Sequence, residues 1–179
     1  MEHVERIDRR LVHKGSILDI YSDTMRLPNG KVEEWDFVSH RMGAACVVAV
    51  LEDGRILLVS QYRPALDRYT LELPAGCRDS VDEDTAICAA RELEEETGYR
   101  CNKLEKLLAL KSTVAFCNEM IDVYLARDLI PVGAQKLDEG EAIDIRPYEL
   151  DDLLEMIYSG KLQDGKTVAG ILAYAHKYR

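Results

Sequence analysis

The chain has 179 residues, 47% hydrophobic and 31% charged, a balance that excludes disordered and fibrous classes and fits one globular domain with a sizeable core and a small appendage. The formal net charge of −10 argues against general binding to nucleic acid or to an anionic membrane, although a small anion can still be held where a metal and one or two arginines invert the local field. Its five cysteines, Cys46, Cys77, Cys88, Cys101 and Cys117, are odd in number and lack zinc-site spacing, no apolar leader follows Met1, and the longest apolar run, Gly43 to Leu51, is too short to span a membrane; a cytoplasmic protein with reduced thiols is expected.

In chain order, Ser16–Tyr21 and Lys31–Val38 alternate in polarity around Asn29-Gly30, a strong hairpin signal. A unit of this size does not stand alone, so it should pack on the rest of the chain or on another subunit. Ala44–Leu51 is continuously apolar, as a strand buried on both faces requires. Arg55–Tyr62 returns after a turn, Tyr69–Leu73 forms a short strand ending at Pro74, and a polar loop runs to about Asp82. A helix is predicted over Glu83–Thr97 from the spacing of Ala86, Ala89, Ala90 and Leu93, with Gly98 as its stop. Strands at Leu104–Leu110, Glu119–Ala126 and Ile143–Arg146 precede two helices, Leu150–Tyr158 and Val168–Tyr178. The order implies an α/β protein with a mixed sheet covered by helices.

The predicted helix carries an electrostatic anomaly. Glu92, Glu95 and Glu96 fall three and four residues apart and share one patch, where like charges repel by about 0.2–0.5 kcal/mol per pair. A divalent cation would offset them, and Mg²⁺ takes such carboxylates together with substrate phosphates. A solvated acidic face is the plain alternative. It does not explain why Gly76, Glu83, Arg91 and Gly98 stand at fixed distances around the acids.

Glu83, seven residues, then Arg91-Glu92-Leu93-Glu94-Glu95-Glu96-Thr97-Gly98 resembles the second half of the Nudix box, the signature of hydrolases that cleave a nucleoside diphosphate linked to another moiety. The first half differs: six residues separate Gly76 from Glu83, one more than the box has, and Tyr99 replaces an aliphatic residue. Val59-Ser-Gln-Tyr-Arg-Pro64 and Leu71-Glu-Leu-Pro-Ala-Gly76 extend the resemblance to the ADP-ribose pyrophosphatase subgroup. Val114-Ala115 stands where that subgroup usually has Pro-Gly.

The resemblance implies a Nudix-type α/β/α sandwich over residues 41–179, with residues 1–40 as an antiparallel β unit for dimerisation and base contacts. It implies metal held by Glu92, Glu96, the Ala75 carbonyl and Glu141, with Glu83 counted among the metal-site acids. Mg²⁺ is the implied cofactor and Mn²⁺ a substitute. Arg91 would orient Glu83 or Glu95, and Glu139 or Glu95 would activate water. Arg63, Glu72, Trp35 and Asp36 would contact substrate, Trp35 by stacking on the base across a homodimer. The implied substrate is a nucleoside diphosphate sugar, ADP-ribose first, with GDP-mannose and dinucleotides as competitors. A non-catalytic sensor of nucleotide sugars is the other reading. Such sensors usually carry a DNA-binding segment, for which this chain has no evident room, and the complete set of box glutamates favours an enzyme.

Overall fold

The computed structural model describes residues 3–137 and 142–179. Its N-terminal strands β1 (Glu5–Lys14), β2 (Leu18–Arg26) and β3 (Val32–His40) form an antiparallel sheet in that order. The Asn29-Gly30 signal is the β2–β3 turn: Gly30 has φ +81° and the Asn29 side chain accepts the Lys31 N–H at 3.0 Å. A residue without a Cβ adopts that φ without penalty. The sequence predicts two strands here and the structure has three. β1 reads Glu-Arg-Ile-Asp-Arg-Arg-Leu-Val-His-Lys and is exposed along nearly its whole length, so it has no buried face to impose a clean alternation.

The larger sheet combines β4 (Ala44–Val50), β5 (Ile56–Arg63), β6 (Arg68–Glu72), β7 (Ala75–Cys77), β9 (Leu104–Lys111), β10 (Met120–Ala126) and β12 (Ile143–Tyr148), leaving β8 (Tyr99–Arg100) paired with β11 (Ile130–Pro131). Its main order is β12-β5-β4-β10-β9, with β6 on β5 and β7 on β4. β4 and β10 run parallel and the other pairs antiparallel. Helix α1 (Thr85–Thr97) covers one face; α2 (Leu150–Tyr158) and α3 (Gly165–Tyr178) cover the other.

β4 shows why the sandwich forms. All seven of its residues are buried. Ala45, Val47 and Ala49 pack with Cys88, Ala89 and Leu93 of α1, while Cys46, Val48 and Val50 pack with Leu153 and Ile171 of α2 and α3. Because side chains alternate across a strand, an unbroken apolar run feeds both cores. Cys46 and Cys88 act as small hydrophobes, and burial pushes both thiols up to about 12. Gly170 lets α3 approach the sheet, since a Cβ there would lie 2.7 Å from Leu73 Cδ1.

Two boundaries differ from the sequence reading in ways that shape the site. α1 starts at Thr85 rather than Glu83, because Asp84 is the N-cap, accepting the Ala86 N–H at 2.8 Å. Ala75–Cys77 is a strand rather than loop, paired with Ala44–Cys46. Three residues are too few to show a period, and only the partner strand makes them extended.

Candidate active site

Strand β7 and helix α1 form one corner. The Ala75 N–H donates to Glu96 Oε2 at 2.9 Å, and Glu96 is only 4% exposed. Gly76 makes room at this corner: a Cβ on it would displace the Glu92 carboxylate from its present position. The absent side chain therefore leaves the space in which that carboxylate lies against the backbone.

Arg91 is the hub beside them. It reaches Glu92 at 2.6 Å, Glu95 at 3.1 Å, Glu83 and Asp79 at 3.5 Å and the Cys77 carbonyl at 2.9 Å. Burial works against its charge, yet the surrounding carboxylates, Glu92 foremost, hold its pKa above the usual arginine value. Glu83 accepts the Asp79 N–H at 2.7 Å and so ties the polar loop to the helix start. That loop absorbs its additional residue compactly: Arg78 donates to the carbonyls of Met42, Val81 and Glu83.

These groups line a cleft of about 240 Å³ that includes Ala75, Gly76, Arg91, Glu92, Glu95 and Glu96. Carboxylates and backbone carbonyls are the hard oxygen donors that Mg²⁺ or Mn²⁺ takes, and the Gly76 space brings backbone and Glu92 together. Among the described residues, no three acidic side chains already converge as a metal cage. Arg91 engages Glu92 and Glu95, and Glu96 faces the Ala75 amide. Mg²⁺ does not demand such a cage, because it keeps waters and completes its shell with substrate phosphate.

Ala75, Gly76 and Cys77 are shared with a second cleft of about 910 Å³, walled by Arg63, Phe116, Glu119 and Lys166 among others. The two clefts therefore adjoin along β7. Arg63 holds Glu72 by two hydrogen bonds, at 2.7 and 2.6 Å. Glu72, 3% exposed, also accepts Thr70 Oγ1 at 2.6 Å and Lys166 Nζ. Burial alone would raise the Glu72 pKa; Arg63 and Lys166 overcome it and hold it at about 2. Lys166 was not singled out from the sequence. Its signal was Asp164-x-x-Thr167, a cap that starts α3 at Gly165 rather than Val168: Asp164 accepts the Thr167 N–H at 3.0 Å.

Not every expected residue meets at this corner. Glu83 stands beyond Arg91 and does not line the box cleft. Trp35 and Asp36 lie on β3; Trp35 is 43% exposed with its indole N–H 3.3 Å from Glu33, and neither lines the large cleft. Glu139 and Glu141 fall outside the described residues. The loop carrying Val114-Ala115 does reach the cleft through Thr113, Phe116 and Cys117, with Val114 itself 83% exposed.

The sandwich, the β7–α1 corner and the adjoining cleft define a hydrolase site of one class. Residues 40–169 match the NUDIX domain, and the chain belongs to the Nudix hydrolase family as a pyrophosphohydrolase. It is 36% identical to the ADP-ribose pyrophosphatase of Bacillus subtilis (strain 168), across 96% of this chain and 90% of that one. It is 33% identical to the ADP-ribose pyrophosphatase of Mycobacterium tuberculosis (strain ATCC 25618 / H37Rv), across 94% and 82%. Among solved structures, an ADP compounds hydrolase superposes with TM-score 0.87 at 19% identity, covering 98% of this chain and 94% of that one; this last likeness is one of fold.

Proposed function

We propose that the protein hydrolyses the diphosphate linkage of a nucleoside diphosphate sugar, with ADP-ribose the first candidate and AMP and ribose 5-phosphate the products. The observation that carries the reading is that two clefts share the wall formed by Ala75–Cys77. An acid-lined corner suited to metal adjoins a space large enough for a nucleotide sugar, with Arg63 on its wall. The relatives named above support ADP-ribose in particular.

In this reading Arg63 binds and orients the diphosphate by charge and planar geometry. Glu92, Glu96, Glu141 and the Ala75 carbonyl would hold the divalent metal. Bound Mg²⁺ would supply neutralisation of phosphate charge and a more acidic water. Arg91 keeps Glu95 turned along the helix, and either Glu95 or Glu139 takes the proton of the attacking water. The chain flanking Asp138–Glu141 supports that assignment: the Lys136 N–H donates to the Glu95 carbonyl at 2.8 Å, and Gln135 Nε2 donates to the carbonyls of Glu96 at 2.6 Å and Ile143 at 3.1 Å. Gln135 and Lys136 are thus tied to the last turn of α1, and Gln135 also to Ile143. The small N-terminal sheet suggests a homodimer in which Trp35 and Asp36 serve the partner's cleft.

The test is a mass-spectrometric assay with Mg²⁺ and a panel of ADP-ribose, GDP-mannose and dinucleotides. AMP and ribose 5-phosphate from ADP-ribose, at the highest kcat/KM of the panel, are expected. Cleavage of another member in preference would move the substrate, and binding without cleavage of any would favour a sensor.

A further inference from the structure

We propose that Lys166 is a positioning residue for the diphosphate site, acting through Glu72 on Arg63; the proposal rests on the reading of Arg63 as the diphosphate ligand. Lys166 lies at the start of α3 with its side chain only 10% exposed, and its ammonium contacts two carboxylates, Glu72 and, at 2.9 Å, Asp164. Burying an ammonium costs several kcal/mol unless it is well paired, so this placement needs a reason. Two charges of each sign meet here: Arg63 and Lys166 against Glu72 and Asp164.

The arrangement bears on the Arg63 assignment. An arginine bound in two-pronged fashion to one carboxylate is largely neutralised toward a second anion. With Lys166 on the same carboxylate, Glu72 is shared between two cations; the four charges balance, so what Lys166 contributes is a fixed direction for the Arg63 guanidinium rather than surplus positive charge. Helix α3 also ties the strand carrying Glu72 toward the Glu96 corner. Thr167 Oγ1, one residue after Lys166, accepts the Leu73 N–H at 2.8 Å, and three residues after Glu72 the Ala75 N–H meets Glu96. The strap Glu72–Gly76 is therefore pinned by α3 at one end and by α1 at the other. A role confined to stability would tie the strap down without affecting diphosphate affinity.

Lys166→Met is expected to raise KM for the diphosphate substrate about tenfold with kcat within about threefold, the signature of lost uniform binding. Lys166→Arg should restore most of it. In an Arg63→Ala background Lys166→Met should change KM less than about twofold, because the two act in series. If Lys166→Met does not fold, the pair Asp164→Asn with Lys166→Met removes one charge of each sign while keeping a good N-cap, and the same KM rise is expected. The Arg63 Nε–H signal in ¹⁵N-arginine spectra, taken without substrate, should be sharp in wild type and exchange-broadened in the Met variant. A wild-type KM in a Met variant that only melts earlier, a full additive penalty on Arg63→Ala, or an unchanged Arg63 signal would overturn the proposal. Failure of the wild type to cleave any diphosphate would sink the functional reading instead, and the spectrum would still decide the part Lys166 plays.

Discussion

At the scale of single residues, the site depends on where two carboxylates turn. Glu96 accepts the Ala75 N–H, a bond that a glutamine oxygen can also accept. Glu96→Gln should therefore keep the fold while removing the charge proposed to bind metal. We expect kcat to fall more than about 100-fold and Tm to move by less than about 4 °C, the equivalent of 1 kcal/mol in a chain of this size. Turnover near the wild-type rate would show that Glu96 holds no metal. A Tm loss well beyond that limit would show that its charge serves the fold. The acids of the box were legible in the sequence because they are local, placed by the turn of a single helix. Arg63, Glu72 and Lys166 were not legible as a group. Glu72 and Lys166 are separated by 94 positions, and only the packing of α3 on the sheet joins them.

At the scale of elements, α1 is held at both ends by features that also organise the site. Asp84 caps its start. At its end Gly98 takes φ +69°, and the segment after β11 docks on it through the Val132 N–H to the Gly98 carbonyl, at 2.9 Å. A Cβ at residue 98 would strike the Gly133 carbonyl oxygen, so the position demands glycine twice, by conformation and by contact. Gly54 is the natural control, with φ +88° and open space around it. Gly54→Ala should cost about 1 kcal/mol from backbone conformation alone. Gly98→Ala should cost at least about 2 kcal/mol and lower Tm by about 8 °C or more on the same scale, measured by thermal unfolding. Equal losses in the two variants would show that the close approach of residues 133 and 98 is not maintained. The stop at Gly98 and the run of β4 were readable because each is dictated by its own residues. β1 and β7 were not, because their extended form is imposed by neighbouring strands rather than by a pattern of their own.

For the molecule as a whole, the N-terminal sheet is the part that the single chain leaves unexplained. Ile7, Leu11, Val12, Ile20, Val32 and Trp35 are all exposed on it, and exposed apolar side chains gathered in one place mark an interaction surface. Its described links to the larger part include the Val38–Cys117 bridge and the His40 N–H to Asn118 Oδ1 bond at 2.8 Å. The second subunit proposed above would cover this sheet and would explain why Trp35 does not line its own chain's cleft, and it makes a prediction about mixtures. Trp35→Ala should act with a raised KM and Glu96→Gln should be nearly inactive. If Trp35 stacks across the dimer, a mixed dimer contains one site with an intact Glu96 and an intact tryptophan from the partner. Adding excess Glu96→Gln protein to Trp35→Ala protein, with time for subunits to exchange, should then produce a low-KM component that neither variant has alone. Were Trp35 to serve its own chain, every site in the mixture would carry one defect or the other. KM would then stay at the Trp35→Ala value at every mixing ratio.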